Sequence, residues 1–207
     1  MSIITRTAPP VGGRSPDVPS GLLWRLSVDQ YHRMIREGIL TEDDRVELLE
    51  GLLVAKMTKN PPHIVATDLL QAALPRIVPA GWFVSMQNPV TMEDSEPEPD
   101  ARVVRGQPRD YVGRRAGPGD VALVVEVADT SLPSDRGIKK RIYARAGIAY
   151  YWIVNLSDGR LEVYDDPTGP AEEPDYRRRR DYGPTDTVPL LIEGREVGRL
   201  DVRELLP

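Results

Sequence analysis

The chain's 207 residues are 40% apolar and 29% charged, the balance of a globular domain in water, which excludes a disordered or membrane-embedded chain. A formal net charge of −5 argues against a protein that grips nucleic acid by bulk positive charge, and the lack of cysteine excludes disulfides, zinc–thiolate centres and thiol catalysis. No apolar run approaches the roughly 18 residues of a membrane span, and the first residues lack the pattern of a secretory signal, so no membrane association and a cytoplasmic location are expected.

Residues 1–20, rich in proline, glycine and serine, cannot bury enough apolar surface to offset the entropy of ordering. They are expected to form a flexible leader to a single domain over 21–207. Ser27 and Gln30 make a capping-box pair, and Tyr31, Met34 and Ile35 continue it as an amphipathic helix that ends at Gly38. Segments 46–49 and 52–57 read as a hairpin around Glu50-Gly51, where glycine accepts a positive φ. A second helix runs over 63–74 until Pro75 ends it.

Short strands are predicted at 82–86, 90–92 and 102–104. Segment 121–127, VALVVEV, is apolar on both faces except at Glu126, the pattern of a central strand covered on each side. A helix over 133–146 closes at Gly147, and strands return at 151–155 and 161–164. Residues 165–189 read as a loop with an outer strand pair, and LDVRELLP ends in a short helix. Interleaved strands and helices give an α/β or α+β class: a mixed central β-sheet flanked by helices.

Glu126 is the informative residue, because a buried carboxylate must be neutralised or partnered. A structural ion pair would satisfy it. So would a second carboxylate, Asp100 of the Pro99-Asp100 step, brought alongside so that both face one hard cation. Mg²⁺, with Mn²⁺ as a substitute, suits such a site: it takes oxygen ligands, needs few carboxylates and keeps waters that substrate oxygens replace. That chemistry serves phosphodiester hydrolysis, in which a nearby ammonium stabilises the charge developing at phosphorus. Lys139 fits that role, and Arg136 and Tyr143, three and four residues away on the same helical face, are candidates to contact a phosphate backbone. The run Arg177 to Arg180 reads as a solvated strand, since alternate side chains point to opposite faces. With His32 and His63 the only histidines, a histidine-based metal centre is not expected.

The motifs RVELLEG (45–51), PPH (61–63), EPEPD (96–100), VVEV (124–127) and DRGIKKRIYARAGIAYYWIVN (135–155) together resemble the Uma-two-type restriction-endonuclease-like family of the PD-(D/E)XK nuclease superfamily, over about 26–164. The resemblance implies a restriction-endonuclease-like fold with Asp100 and Glu126 as metal ligands, the backbone carbonyl of Val127 as a third, and Glu47 as an additional acid near the metal. The superfamily's usual lysine would fall at Ala128; in this family it moves to the next helix, so Lys139 inherits its role. The resemblance sets His63 at the mouth of the active site, while its place at a helix start gives it an ordinary polar role, and both readings stand. The implied activity is metal-dependent cleavage of DNA, by a homodimer if both strands of a duplex are cut. A nuclease-fold DNA-binding or regulatory module that does not cut stays open. So does a carboxylate-pair glycosidase, which needs its two acids roughly 5–9.5 Å apart and no lysine.

Overall fold

The structure, a computed structural model, describes residues 19–207; residues 1–18, most of the expected leader, lie outside them. Helix α1 (Val28–Arg36) starts where the Ser27 hydroxyl accepts the Gln30 N–H at 3.2 Å and the Gln30 side chain accepts the Ser27 N–H at 2.8 Å. Strands β1 (Val46–Leu49) and β2 (Leu52–Ala55) form an antiparallel hairpin. Its turn residues Glu50 and Gly51 both have positive φ, 48° and 75°, which matches the twist of the strands it joins. Gly51 is also required by packing, because a Cβ there would lie 2.6 Å from that of Arg25.

Helix α2 (Pro61–Ala73) is capped by Asn60, whose side chain accepts the His63 N–H at 3.1 Å, and its two leading prolines occupy positions that need no N–H donor. Strands β3 (Trp82–Met86) and β4 (Ala101–Arg105) follow, with no strand over 90–92. The N–H groups of Val90 and Met92 go to the carbonyls of Pro97 and Ser95 in one neighbouring stretch, and that of Thr91 goes to Ala116. The expected strand there is thus corrected to a loop, since Pro97 has no N–H to return its bond and the pairing stops at these two contacts.

Strand β5 (Val121–Ala128) is buried along its whole length. The following helix departs from expectation: it begins as α-helix at Leu132–Ser134 (α3), widens to a π-helix over Asp135–Lys139, and returns to α-helix at Lys140–Arg145 (α4) before Gly147 closes it at φ 74°. Strands β6 (Tyr150–Asn155), β7 (Arg160–Pro167) and β8 (Tyr176–Tyr182) complete a six-stranded sheet in the order β3-β4-β5-β6-β7-β8. Its β5–β6 pair is parallel and its other neighbours antiparallel, so the sheet is mixed. Strands β9 (Thr187–Ile192) and β10 (Arg195–Asp201) form a separate hairpin, and a 3₁₀ turn over Val202–Leu205 ends the chain.

Two apolar layers enclose the sheet. Leu123, Val125 and Val127 pack with Leu70 and Leu74 from the region of α2 and with Val188, Leu190 and Leu200 of the terminal hairpin. Val124 and Ala128 pack on the opposite face with Tyr143, Ala144 and Tyr151. Each fully buried aliphatic side chain contributes about 1.5–3 kcal/mol, which lets an otherwise apolar strand hold one ionisable group. By the alternation of β5 that group, Glu126, faces α4. No helix among the described residues is long and apolar enough to cross a membrane.

Candidate active site

The pairing of Ala101 with Val125 brings Asp100, at the entrance to β4, beside Glu126 near the end of β5. Asp100 is fixed there from the backbone: its Oδ2 accepts the Val127 N–H at 2.9 Å. Both carboxylates line a cleft of about 480 Å³, whose walls include Glu47 and Val54 of the β1–β2 hairpin, the loop before α2, and the start of the π-helical segment.

Lys139 enters this cleft from the helix. Its Nζ lies 3.0 Å from Glu126 Oε1, 3.5 Å from Glu47 Oε1 and 3.9 Å from Asp135 Oδ1, so one largely enclosed ammonium faces three acids. Glu47 is held in turn by the Glu98 N–H, 3.0 Å from its Oε2. Burial pushes the Glu126 carboxyl well above the usual carboxylate range; Lys139 draws it back, while Asp135, Asp100 and Glu47 raise it further. Burial acts in the opposite sense on Lys139, but Glu126, Glu47 and Asp135 outweigh it and hold the ammonium above its ordinary value. The lysine is therefore the constant charge of the cluster, and its acids compete for it. Asp135 is pushed up to about 6 by burial, against the pull of Lys139 and a hydrogen bond from Ser131.

Asp100 has a different environment. Burial would raise it, but a hydrogen bond and charge from His63, the Val127 N–H and the charge of Lys59 together bring it below its ordinary value. His63 Nε2 is 3.3 Å and Lys59 Nζ 3.7 Å from its carboxylate. His63 thus combines both sequence readings: its backbone belongs to the cap of α2 and its ring meets Asp100.

Tyr143 shares the face of Lys139 but is buried there, and Arg136 points elsewhere. The Arg136 guanidinium makes a two-point contact with Glu162 of β7, and Tyr143 is fully buried, its hydroxyl donating to Glu126 Oε1 at 2.8 Å. As candidate phosphate contacts both are corrected: Tyr143 is spent on Glu126 inside the core, and Arg136 is turned to Glu162 because the π-helical segment Asp135–Lys139 breaks the 3.6-residue period between it and Lys139. The four arginines of β8 are exposed and engaged with acids, Arg178 and Arg180 both on Asp165. Sequence reasoning gave no role to Asp135 or Lys59. The four-residue spacing of Asp135 and Lys139 on one helix was the available signal for the first.

Among the described residues, no group of three or more histidine, aspartate or glutamate side chains is spaced to hold a metal ion by itself. A hard cation such as Mg²⁺ needs less, taking one or two carboxylates and keeping several waters. Asp100, Glu126 and Val127 supply that donor chemistry in one cleft. The Asp135 Oδ2 is buried there without a hydrogen-bond partner, so the cleft holds more carboxylate than its own donors satisfy. Seven acids line it, of which Glu47, Glu126 and Asp135 surround Lys139, with Lys59 and His63 on the side of Asp100, and the residues fit a divalent cation.

A family model described as "Putative restriction endonuclease" (Uma2) matches residues 28–202. Among solved structures, the fold is similar to a crystal structure from Anabaena variabilis described as "a putative nuclease belonging to DUF820". The two are 15% identical with a TM-score of 0.62, the match covering 87% of this chain and 97% of that one. No curated protein matches the chain.

Proposed function

The chain belongs to the Uma2 restriction-endonuclease-like family, and from that premise we propose that it is a metal-dependent endonuclease that hydrolyses phosphodiester bonds of DNA. The observation that carries the reading is the buried Glu126–Lys139 contact set beside Asp100 in an open cleft.

Asp100, Glu126 and the Val127 carbonyl would hold Mg²⁺ or Mn²⁺, with Glu47 the additional acid beside them. The chemistry such an ion supplies when bound is neutralisation of the phosphate charge and acidification of a water. Lys139 is the one cation buried among these acids, and its ammonium can donate to the oxygens on which charge grows as phosphorus is attacked, where a preorganised donor is worth more than in water. Tyr143 keeps Glu126 turned toward the cleft, and His63 does the same for Asp100. Lys59, 38% exposed at the mouth, is placed to meet the incoming phosphodiester. Severing both strands of a duplex calls for two such clefts, most simply in a two-fold homodimer.

The test is nicking of supercoiled plasmid with Mg²⁺ or Mn²⁺ across a salt series, comparing the wild type with Asp100→Ala, Glu126→Ala and Lys139→Ala. Metal-dependent nicking that each substitution abolishes in a folded protein is the expected result; nicking that persists in chelator overturns it. A second reading, a nuclease-fold module that does not cut, is favoured by the acidic net charge and by the engagement of the β8 arginines with acids. It predicts neither cleavage of any DNA form nor metal binding by the wild type.

A further inference from the structure

Asp135 stands apart from the acids that the proposed reaction uses. It is 1% exposed, yet its Oδ2 is the buried side-chain polar atom that, among the described residues, has no hydrogen-bond partner. An unsatisfied buried carboxylate oxygen costs on the order of 1–3 kcal/mol or more, so a fold retains one where it does something else. This oxygen is on a residue that lines the cleft, and the companion Oδ1 is 3.9 Å from Lys139 Nζ, too far for a hydrogen bond. Lys139 meanwhile spends its closest contact on Glu126, at 3.0 Å. An ammonium has three donors, and the same Glu126 oxygen already accepts from Tyr143.

The helix is shaped to keep these groups together. In an α-helix, residues four apart drift by about 40°, so Asp135, Lys139 and Tyr143 would spread around the rod. The π-helical turn over Asp135–Lys139, closing from i to i+5, takes part of that drift back before α-helix resumes. All three side chains consequently meet at Glu126 and its neighbours. The backbone is pinned in this shape, since the Asp135 carbonyl accepts the Tyr151 hydroxyl at 3.1 Å.

We propose that Asp135 is a positioning residue that acts through Lys139: it is the reserve acceptor that takes the ammonium when a divalent cation draws Glu126 away from it. This rests on the metal-site reading above. With Asp135 in place, Glu126 can turn to a cation without leaving Lys139 buried and unpaired, which would be strongly destabilising. Without it, a cation must compete with Lys139 for the Glu126 carboxylate.

The experiment is a titration with Mn²⁺ alone, followed by calorimetry, on the folded full chain and on Asp135→Asn, Lys139→Met and the double variant. Asp135→Asn is expected to weaken Mn²⁺ by about 10-fold, the usual scale for a residue that supports a metal ligand from behind. In the Lys139→Met background the same substitution is expected to change affinity by less than about twofold, because its effect passes through the lysine. An equal loss in both backgrounds makes Asp135 a direct ligand and overturns the proposal. Wild-type binding that Asp135→Asn leaves unchanged overturns it as well, with the metal site intact. No Mn²⁺ binding by the wild type overturns the metal-site reading and this role together. Should Lys139→Met fail to fold, Asp135→Glu decides: it keeps the charge and is expected to bind within about threefold of wild type, whereas a loss as large as that of the asparagine variant refutes the reserve-acceptor role.

Discussion

Tyr143→Phe isolates one link of the buried cluster. The tyrosine is fully buried, its hydroxyl donates to Glu126 Oε1 at 2.8 Å, and its ring packs on Tyr151 with centroids 5.0 Å apart. Phenylalanine keeps the ring and its packing, so the change removes one hydrogen bond and little volume. A hydrogen bond to a charged group contributes about 1.5–3 kcal/mol and one to a neutral group nearer 1. With Glu126 ionised beside Lys139 the expected loss at pH 8 is about 2 kcal/mol, which at a urea slope of about 2 kcal/mol/M moves the unfolding midpoint down by about 1 M. Since the lost bond favours the carboxylate over the carboxylic acid, the substitution raises the Glu126 pKa still further. The loss should therefore be smaller at pH 5 than at pH 8. Urea unfolding in chelator at the two pH values measures both. A midpoint change below about 0.3 M at pH 8, or one that is the same at both, would refute the idea that Tyr143 supports an ionised Glu126.

Asp135 predicts a pH dependence whose sign is fixed. Its folded value of about 6 lies above its ordinary 3.8, so the native state holds a proton that the unfolded chain releases, and wild-type stability falls as pH rises from about 4 through 6. Relative to wild type, Asp135→Asn should gain up to about 3 kcal/mol of stability between pH 4 and pH 8 in chelator, read by urea unfolding, and a flat difference would contradict it. Lys139→Met should cost about 3–5 kcal/mol at pH 8 by stranding buried carboxylates, with a smaller cost at pH 5 where they can protonate, as the same assay shows. His63→Gln removes an ionisable partner from Asp100, so the Asp100 carboxyl should titrate at higher pH, visible by carbon NMR; an unchanged midpoint would detach His63 from the site. Replacing Arg177 and Arg179 by glutamine should leave the salt dependence of DNA cleavage unchanged, whereas Lys59→Gln should lower its slope by about one counterion.

The central strand was legible because β5 has no polar face to alternate with, so Glu126 stood out as the single charge among buried neighbours. Capping was legible at Ser27 and Gln30, which are fixed within three residues of each other, whereas the Asn60 cap, which starts α2 two residues before the expected His63, was not read. The segment 90–92 looked like a strand by composition, but its N–H partners come from chain as distant as Ala116, which no local pattern encodes. Arg136 was misplaced by assuming one helical period through a segment that changes period, and Tyr143, on the expected face, because that face is buried where it lies. The role of Asp135 was hidden because its burial depends on how the helix packs against β5 and β6. Asp100 was a candidate because Glu126 called for a second carboxylate, and the strand register sets it opposite Glu126.

The arginines of β8 have a further consequence for the life of the protein in a crowded solution. β8 is the outer strand of the six-stranded sheet, with one side of its backbone unpaired and open to any passing strand. Residues Arg177 to Asp181 are all exposed there, and a second copy docking on this edge in antiparallel fashion would bring like charges face to face. The acids beneath, Glu162 and Asp165, hold the guanidinium groups in place. A charged run on a solvated strand thus protects the sheet from growing by accretion, and clearing it of charge should yield a protein that folds and then precipitates.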